Sequence, residues 1–184
     1  MLAEKKKCTY EEFLRISSEK RAEFIDGEIY YLASPSFEHQ MVISKLNIEF
    51  MQYFEGRECI PVISPFDVMF EDKEKNERHV VQPDIIVICD KSKITDEGYK
   101  GVPKLIVEVL SPTTASVDYI KKMQLYSKFG VLEYWIANPR NKSLQIFVLE
   151  NGVYIEHIAL SQTGIAVSAA FEDLKVNIEN IFNF

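Results

Sequence analysis

The stretch Leu105–Trp135, LIVEVLSPTTASVDYIKKMQLYSKFGVLEYW, reads as strand, helix and strand with ionisable residues set inside its apolar patterns. In LIVEVL, strand alternation places Leu105, Val107 and Val109 on one face and Ile106, Glu108 and Leu110 on the other. Glu108 therefore lies between two apolar side chains, where a carboxylate needs a partner. Ser111-Pro112 turns the chain, and the spacing predicts a helix from about Ala115 to Phe129, ended by Gly130 in the left-handed cap conformation. At ~100° per residue, Tyr119, Met123, Leu125, Tyr126 and Phe129 form one apolar arc. Asp118 and Lys122 fall inside that arc, whereas Lys121, Gln124 and Lys128 fall outside it, so one helix carries two kinds of lysine. The next strand, Val131 to Ala137, holds Glu133 among apolar neighbours, and all three elements are expected to point charge toward one region.

Around this centre, 184 residues with 47% apolar and 12% aromatic content predict one well-cored domain over residues 1–184. No apolar run reaches the ~18 residues of a membrane span, and MLAEKKKC has no apolar stretch behind its basic residues, so a soluble, unprocessed chain is expected. Cys8, Cys59 and Cys89 are odd in number, widely spaced and free of CxxC pairing, which supports neither a disulfide framework nor a zinc site and fits a reducing cytoplasm. A net charge of −7 argues against a protein that coats itself on nucleic acid, while leaving room for a local basic groove.

Upstream, Thr9-Tyr10-Glu11-Glu12 has the capping-box pattern and predicts a helix from Tyr10 to about Ile16. Asp26-Gly27 between Ala22–Ile25 and Glu28–Leu32 predicts a hairpin. Glu23 and Glu28 on its strands read either as a solvated face or as carboxylates facing an active cleft. Ser34-Pro35-Ser36 caps a helix from Phe37 to Phe54, with Met41, Leu46, Ile48, Phe50 and Tyr53 for its buried side. His39 in its first turn is either a capped or core-packed histidine or a phosphate or substrate contact.

Cys59–Ile63 and Phe66–Phe70 predict strands, and EDKEKNERH between Glu71 and His79 a solvated, disordered loop. Val80 to Cys89 reads as one apolar strand interrupted by Gln82-Pro83-Asp84, which sets a carboxylate at its entrance. A hairpin around Asn151-Gly152 and a short segment ending in Ile181-Phe182 close the chain.

Asp84 and Glu108 on neighbouring strands would make a hard, oxygen-only site of the kind magnesium accepts, and Lys122 beside them would complete a hydrolytic set for phosphodiesters. A structural Asp–Lys helix pair and a strand-edge aspartate account for the same residues without chemistry.

Pro83-Asp84, Glu108-Val109-Leu110-Ser111-Pro112, then Asp118, Lys122 and Tyr126, Gly130-Val131 and Glu133-Tyr134-Trp135 together resemble the Uma2 family of restriction-endonuclease-like proteins. Glu23-Phe24-Ile25-Asp26-Gly27-Glu28, Ser34-Pro35 and His39 match its N-terminal pattern, so the resemblance runs from about Tyr10 to Leu160. It implies an α/β, restriction-endonuclease-like core of the PD-(D/E)XK nuclease superfamily: a mixed β-sheet flanked by helices, with added β-hairpins. It further implies a Mg²⁺-dependent DNA endonuclease, with Mn²⁺ as a substitute, in which Asp84 and Glu108 bind the metal. The superfamily lysine would stand two residues after the glutamate, where this chain has Leu110; the resemblance implies that Lys122 replaces it. Glu23, His39 and Gln82 would then border the substrate. A catalytically silent binding or assembly module that keeps its ion cluster for structural reasons is the alternative. A homodimer, built partly from surfaces near the chain ends, is expected to supply the backbone contacts that one acidic domain lacks.

Overall fold

The computed structural model describes residues 7–111 and 117–184, with the side chains of Val117 and Asp118 outside that description. Helix α1 (Tyr10–Ser17) opens on the Thr9/Glu12 capping box, both of whose hydrogen bonds are present. Strands β1 (Ala22–Ile25) and β2 (Glu28–Tyr31) pair through the two-residue turn Asp26-Gly27, whose φ angles of 53° and 77° are those an Asp-Gly hairpin turn demands. Helix α2 (Phe37–Phe54) starts at the N-cap Ser36 as the sequence predicts. It buries Val42, Ile43, Leu46, Phe50 and Phe54. Ile48, two positions past Leu46 and so on the opposite side of the helix, is instead exposed, while Met41 and Tyr53 are half-buried.

Strands β3 (Ile60–Ile63), β4 (Val68–Asp72), β5 (Glu77–Val81) and β6 (Ile85–Ile88) correct two expectations. The polar segment Glu71–His79 is a β-hairpin in register Phe70↔His79 to Asp72↔Glu77, not a disordered loop. Asp72 accepts from the Glu74 and Lys75 amides and Asn76 adopts φ 50°, so the turn is made by polar residues at a solvated hairpin tip. Val80 to Cys89 is two strands in two sheets; Pro83, which cannot donate to a ladder, stands at the crossing.

The small strands β7 (Ile94–Thr95) and β8 (Gly98–Tyr99) precede β9 (Leu105–Val109). A π-helical turn over Val117–Lys122 runs into helix α3 (Met123–Phe129), capped by Gly130 at φ 84°. Strand β10 (Glu133–Asn138) returns parallel to β9, and β11 (Ser143–Glu150) and β12 (Val153–Ser161) form the Asn151-Gly152 hairpin. Strands β13 (Ile165–Val167) and β14 (Lys175–Asn177) and helix α4 (Ile178–Phe182) complete the described chain.

One sheet has the order β2-β1-β5-β4-β8-β7 and the other, mixed in direction, β12-β11-β10-β9-β6-β3. Ile25, Val68, Phe70 and Val81 from the first meet Ile86, Ile106, Tyr134 and Ile136 from the second, with Leu125 and Tyr126 of α3 in the same cluster. The opposite face of the second sheet packs on α2, α4 and β14, while α1 covers the first sheet through Phe13 against Phe24.

Cys59 and Cys89, expected to be unpaired, are joined as a disulfide. They flank the antiparallel partners Ile60↔Ile88, so sheet pairing brings together residues that sequence spacing kept apart. Among the described residues no helix is long and apolar enough to cross a membrane.

Candidate active site

The antiparallel register Ile85↔Val107 and Ile86↔Ile106 between β6 and β9, extended by one residue, sets Asp84 opposite Glu108. Directly opposed residues share a face, and both side chains line one cleft of about 590 Å³. Asp84 is at the strand entrance, where its Oδ2 accepts from the Val109 amide at 2.7 Å and lies 3.4 Å from His39 Nε2. His39 comes from the first turn of α2, whose positive dipole end borders the cleft.

Glu108 is 3% exposed and Lys122 4%. The Lys122 Nζ stands 2.9 Å from Glu108 Oε1 and 2.8 Å from Glu23 Oε1, and the Tyr126 hydroxyl donates to the same Glu108 oxygen at 2.7 Å. The helical wheel therefore separated the lysines correctly in burial: Lys128 reaches Glu77 at the surface, and Lys121 is only half-buried. It misplaced Tyr119, which is 36% exposed and donates to Gln145. A π turn closes i→i+5 rings and advances less per residue than an α-helix, so the phase shifts across Val117–Lys122. The expected Asp118 side-chain partner lies outside the described residues.

Glu23 resolves its two readings inward: it is 2% exposed, on the inner face of β1. Besides Lys122, its Oε1 accepts from the Gln82 backbone amide at 2.9 Å. It underlies the cleft and does not line it. Glu28, the other ambiguous carboxylate, is half-buried and accepts from the Tyr30 hydroxyl at 2.6 Å. The Gln82 side chain, expected at the substrate, is engaged by protein: its Oε1 accepts from Arg21 Nε and Nη2 at 3.1 and 2.9 Å, and its Nε2 donates to Asp67 Oδ1 at 2.7 Å. Burial holds the Asp67 carboxyl above the ordinary range, against the opposing pull of Gln82 and Arg21.

Asp84, Glu108, Lys122, His39 and Gln82 thus border a single cleft, whereas Glu133 does not. In register with Leu105, Glu133 points to the opposite face of the sheet. There it accepts from the Trp135 indole, the Ser168 hydroxyl and the Ala169 and Ala170 amides. Strand, helix and strand therefore do not aim all their charges at one region. Sequence reasoning also missed Arg21, Glu38 and Arg140, which line the cleft. A signal existed for Arg21, two residues before Glu23 and so on the same face of the strand as an inward carboxylate.

Residues 10–179 match the Uma2 family, described as "Putative restriction endonuclease". Two uncharacterized proteins of Synechocystis sp. are similar: slr1290, 28% identical over 144 residues, 77% of this chain and 74% of the relative, and sll1609, 28% identical over 119 residues, 64% and 65%. A crystal structure of "a putative nuclease belonging to DUF820" from Anabaena variabilis superposes with a TM-score of 0.72 at 20% identity, covering 94% of this chain and 96% of that one. That likeness carries the restriction-endonuclease-like fold, and the family match spans nearly all of both sheets, the cleft between them and their covering helices. The chain belongs to the Uma2 family.

Proposed function

We propose that the protein is a Mg²⁺-dependent nuclease that hydrolyses phosphodiester bonds in DNA. The observation that carries this reading is the opposition of Asp84 and Glu108 across β6 and β9 at the floor of one open cleft. The donor chemistry fits the ion. The cleft lining offers two opposed carboxylates, Asp84 and Glu108. Magnesium is commonly bound by one or two carboxylates and completes its shell with water and substrate phosphate. Zinc sites, by contrast, are built from three or four protein ligands. Asp84 and Glu108 would hold the ion, with Mn²⁺ able to replace it.

When bound, the cation supplies positive charge at the scissile phosphate and lowers the pKa of attacking water. Lys122 and Tyr126 both donate to Glu108 Oε1, so two hydrogen bonds fix that carboxylate's orientation. The Lys122 ammonium also borders the cleft, where it can stabilise charge growing on phosphorus. The net reaction adds water across one P–O bond and leaves a phosphomonoester and an alcohol.

One observation favours a second reading. Lys122 meets two carboxylates, as a purely structural ion cluster in a silent binding module would. Calorimetric titration of Mn²⁺ into the wild type, Asp84→Asn and Glu108→Gln, with plasmid cleavage assayed beside it, separates the two. The nuclease reading expects heat and cleavage in the wild type and neither in the variants; no heat and no cleavage in the wild type leaves the structural cluster. The nuclease reading also includes a homodimer, and a monomer mass by light scattering at micromolar concentration in low and moderate salt removes it.

A further inference from the structure

We infer that Arg21 and Arg140 form a two-armed clamp for the backbone phosphates flanking the one that lies over Asp84 and Glu108; this rests on the phosphodiester reading above. A polyanionic strand entering the cleft meets the acidic Glu38, Asp84 and Glu108 in a chain of net charge −7. The Lys122 ammonium is already engaged by two carboxylates. Binding there needs cations at the mouth whose charge is not cancelled locally.

Arg21 and Arg140 meet that need. Both are exposed residues of the cleft lining, and among the described residues neither guanidinium is paired with a carboxylate. They approach from different sheets. Arg21 immediately precedes β1, its carbonyl accepting from the Leu32 amide at 3.1 Å. Arg140 sits on the turn between β10 and β11, its backbone amide held by Asn138 Oδ1 at 3.0 Å. The carboxylates at β6 and β9 line the same cleft, so a strand of nucleic acid laid over them is within the lining that both arginines share.

Arg21 is also aimed. Gln82 Oε1 takes its Nε–H and one Nη–H, which orients the guanidinium through a neutral amide, while Asp67 acts on it only from beyond salt-bridge distance and leaves its outward N–H groups for a phosphate. Gln82 is itself anchored by Asp67 through its side chain and by Glu23 through its backbone. The Glu23 oxygen that holds the Gln82 amide also meets Lys122, so one residue ties the phosphate arm to the floor of the site.

The test is fluorescence anisotropy of a labelled single-stranded oligonucleotide and of its duplex, in Ca²⁺ across a salt series. The proteins are the wild type, Arg21→Ala, Arg140→Ala, Gln82→Ala and Arg57→Ala, with circular dichroism as the folding check and Mn²⁺ calorimetry on each. Arg57 packs on Tyr53 at the far end of α2 and serves as the control. Arg21→Ala and Arg140→Ala should each weaken binding ~10-fold and lower the salt slope by about one. Mn²⁺ uptake should be unchanged, and Arg57→Ala should match the wild type. Gln82→Ala should weaken binding several-fold without removing a charge, which a diffuse surface cation would not show; wild-type binding in Gln82→Ala overturns the orienting role. Whichever probe shows the arginine dependence identifies the strand form bound. Wild-type binding in both arginine variants overturns the clamp, as does a wild type that takes up Mn²⁺ but binds neither oligonucleotide, an outcome that leaves the metal site standing. Arginine-dependent binding without Mn²⁺ uptake supports the clamp and removes the nuclease reading.

Discussion

Lys122 and Glu23 face each other at 2.8 Å across the interface between the two sheets, one on the helical segment after β9 and the other on β1. The contact joins two elements that share no hydrogen-bonded ladder, and both side chains are almost fully buried. With Glu108 as the second carboxylate, the lysine is held where both sheets meet the cleft floor.

Removing that lysine should therefore cost stability as well as activity. Lys122→Ala leaves Glu23 and Glu108 facing a buried void, and the loss of one partner from a buried ion cluster destabilises by about 3–5 kcal/mol. Lys121→Ala should change stability by less than ~0.5 kcal/mol, as surface substitutions do. Urea denaturation measures both, and Mn²⁺-dependent plasmid cleavage should persist in Lys121→Ala and vanish in Lys122→Ala. Equal cleavage by both would take Lys122 out of the mechanism.

Metal uptake should follow the carboxylate pair. Asp84→Asn keeps an oxygen for the Val109 amide and removes the charge, so it should fold, with no rise in melting temperature on adding Mn²⁺. In the wild type, Mn²⁺ at 100 times its Kd should raise stability by about 2.7 kcal/mol, and EDTA should reverse it. A melting shift retained by Asp84→Asn places the ion elsewhere.

Glu133 should matter to the fold and not to the chemistry. It satisfies the Trp135 indole, the Ser168 hydroxyl and two backbone amides on the face away from the cleft. Glu133→Ala strands these buried donors and should cost about 3 kcal/mol or more. Below its lowered melting temperature, the variant should bind Mn²⁺ with wild-type affinity; a weakened affinity would mean that the two faces of the sheet are coupled.

Stability should also fall with acid through His79. Burial pushes this imidazole below the ordinary histidine value, with the Asp26 carboxylate partly opposing. Its Nδ1 accepts from the Asp26 amide at 3.2 Å, so the folded state holds it neutral. Above an unfolded-state pKa of about 6.5 both states are neutral and the stability is complete. As the pH drops below that, the unfolded chain takes the proton first, and stability declines until the folded imidazole titrates in turn. His79→Asn keeps an acceptor for the amide, so its urea midpoint should fall less between pH 7.5 and 5 than that of the wild type. Parallel midpoints would clear His79 of the effect.

The local parts of this architecture were legible because local physics makes them. The Thr9 capping box, the Asp26-Gly27 turn, the bounds of α2 and the Gly130 cap each rest on contacts between residues a few positions apart. Alternation put Glu108 between Ile106 and Leu110, and helical spacing put Lys122 with Tyr126. Both assignments survive because the pleat and the helix set which residues share a face. Among the described residues the π turn defeated the wheel at Tyr119, where the advance per residue changes.

Long-range pairing decided the rest. Periodicity gives the parity of a side chain but not which surface covers that face: Glu23 could be solvated until the π-helical turn before α3 packed Lys122 against it, and Glu133 shares its strand pattern with residues facing away from Glu108. Pro83 could interrupt one strand or divide two sheets, and only the ladders of β5 and β6 with different partners separate those cases. The Cys59–Cys89 pair and the Arg21–Gln82 contact have the same origin, since each is made by strands that meet in space after the intervening chain has folded. The sequence by itself determined the capped helices, the tight turns and the presence of buried charge; the tertiary structure decided where strands divide and which charges meet, because an ion pair depends on the positions of both partners and a strand or helix period specifies only one.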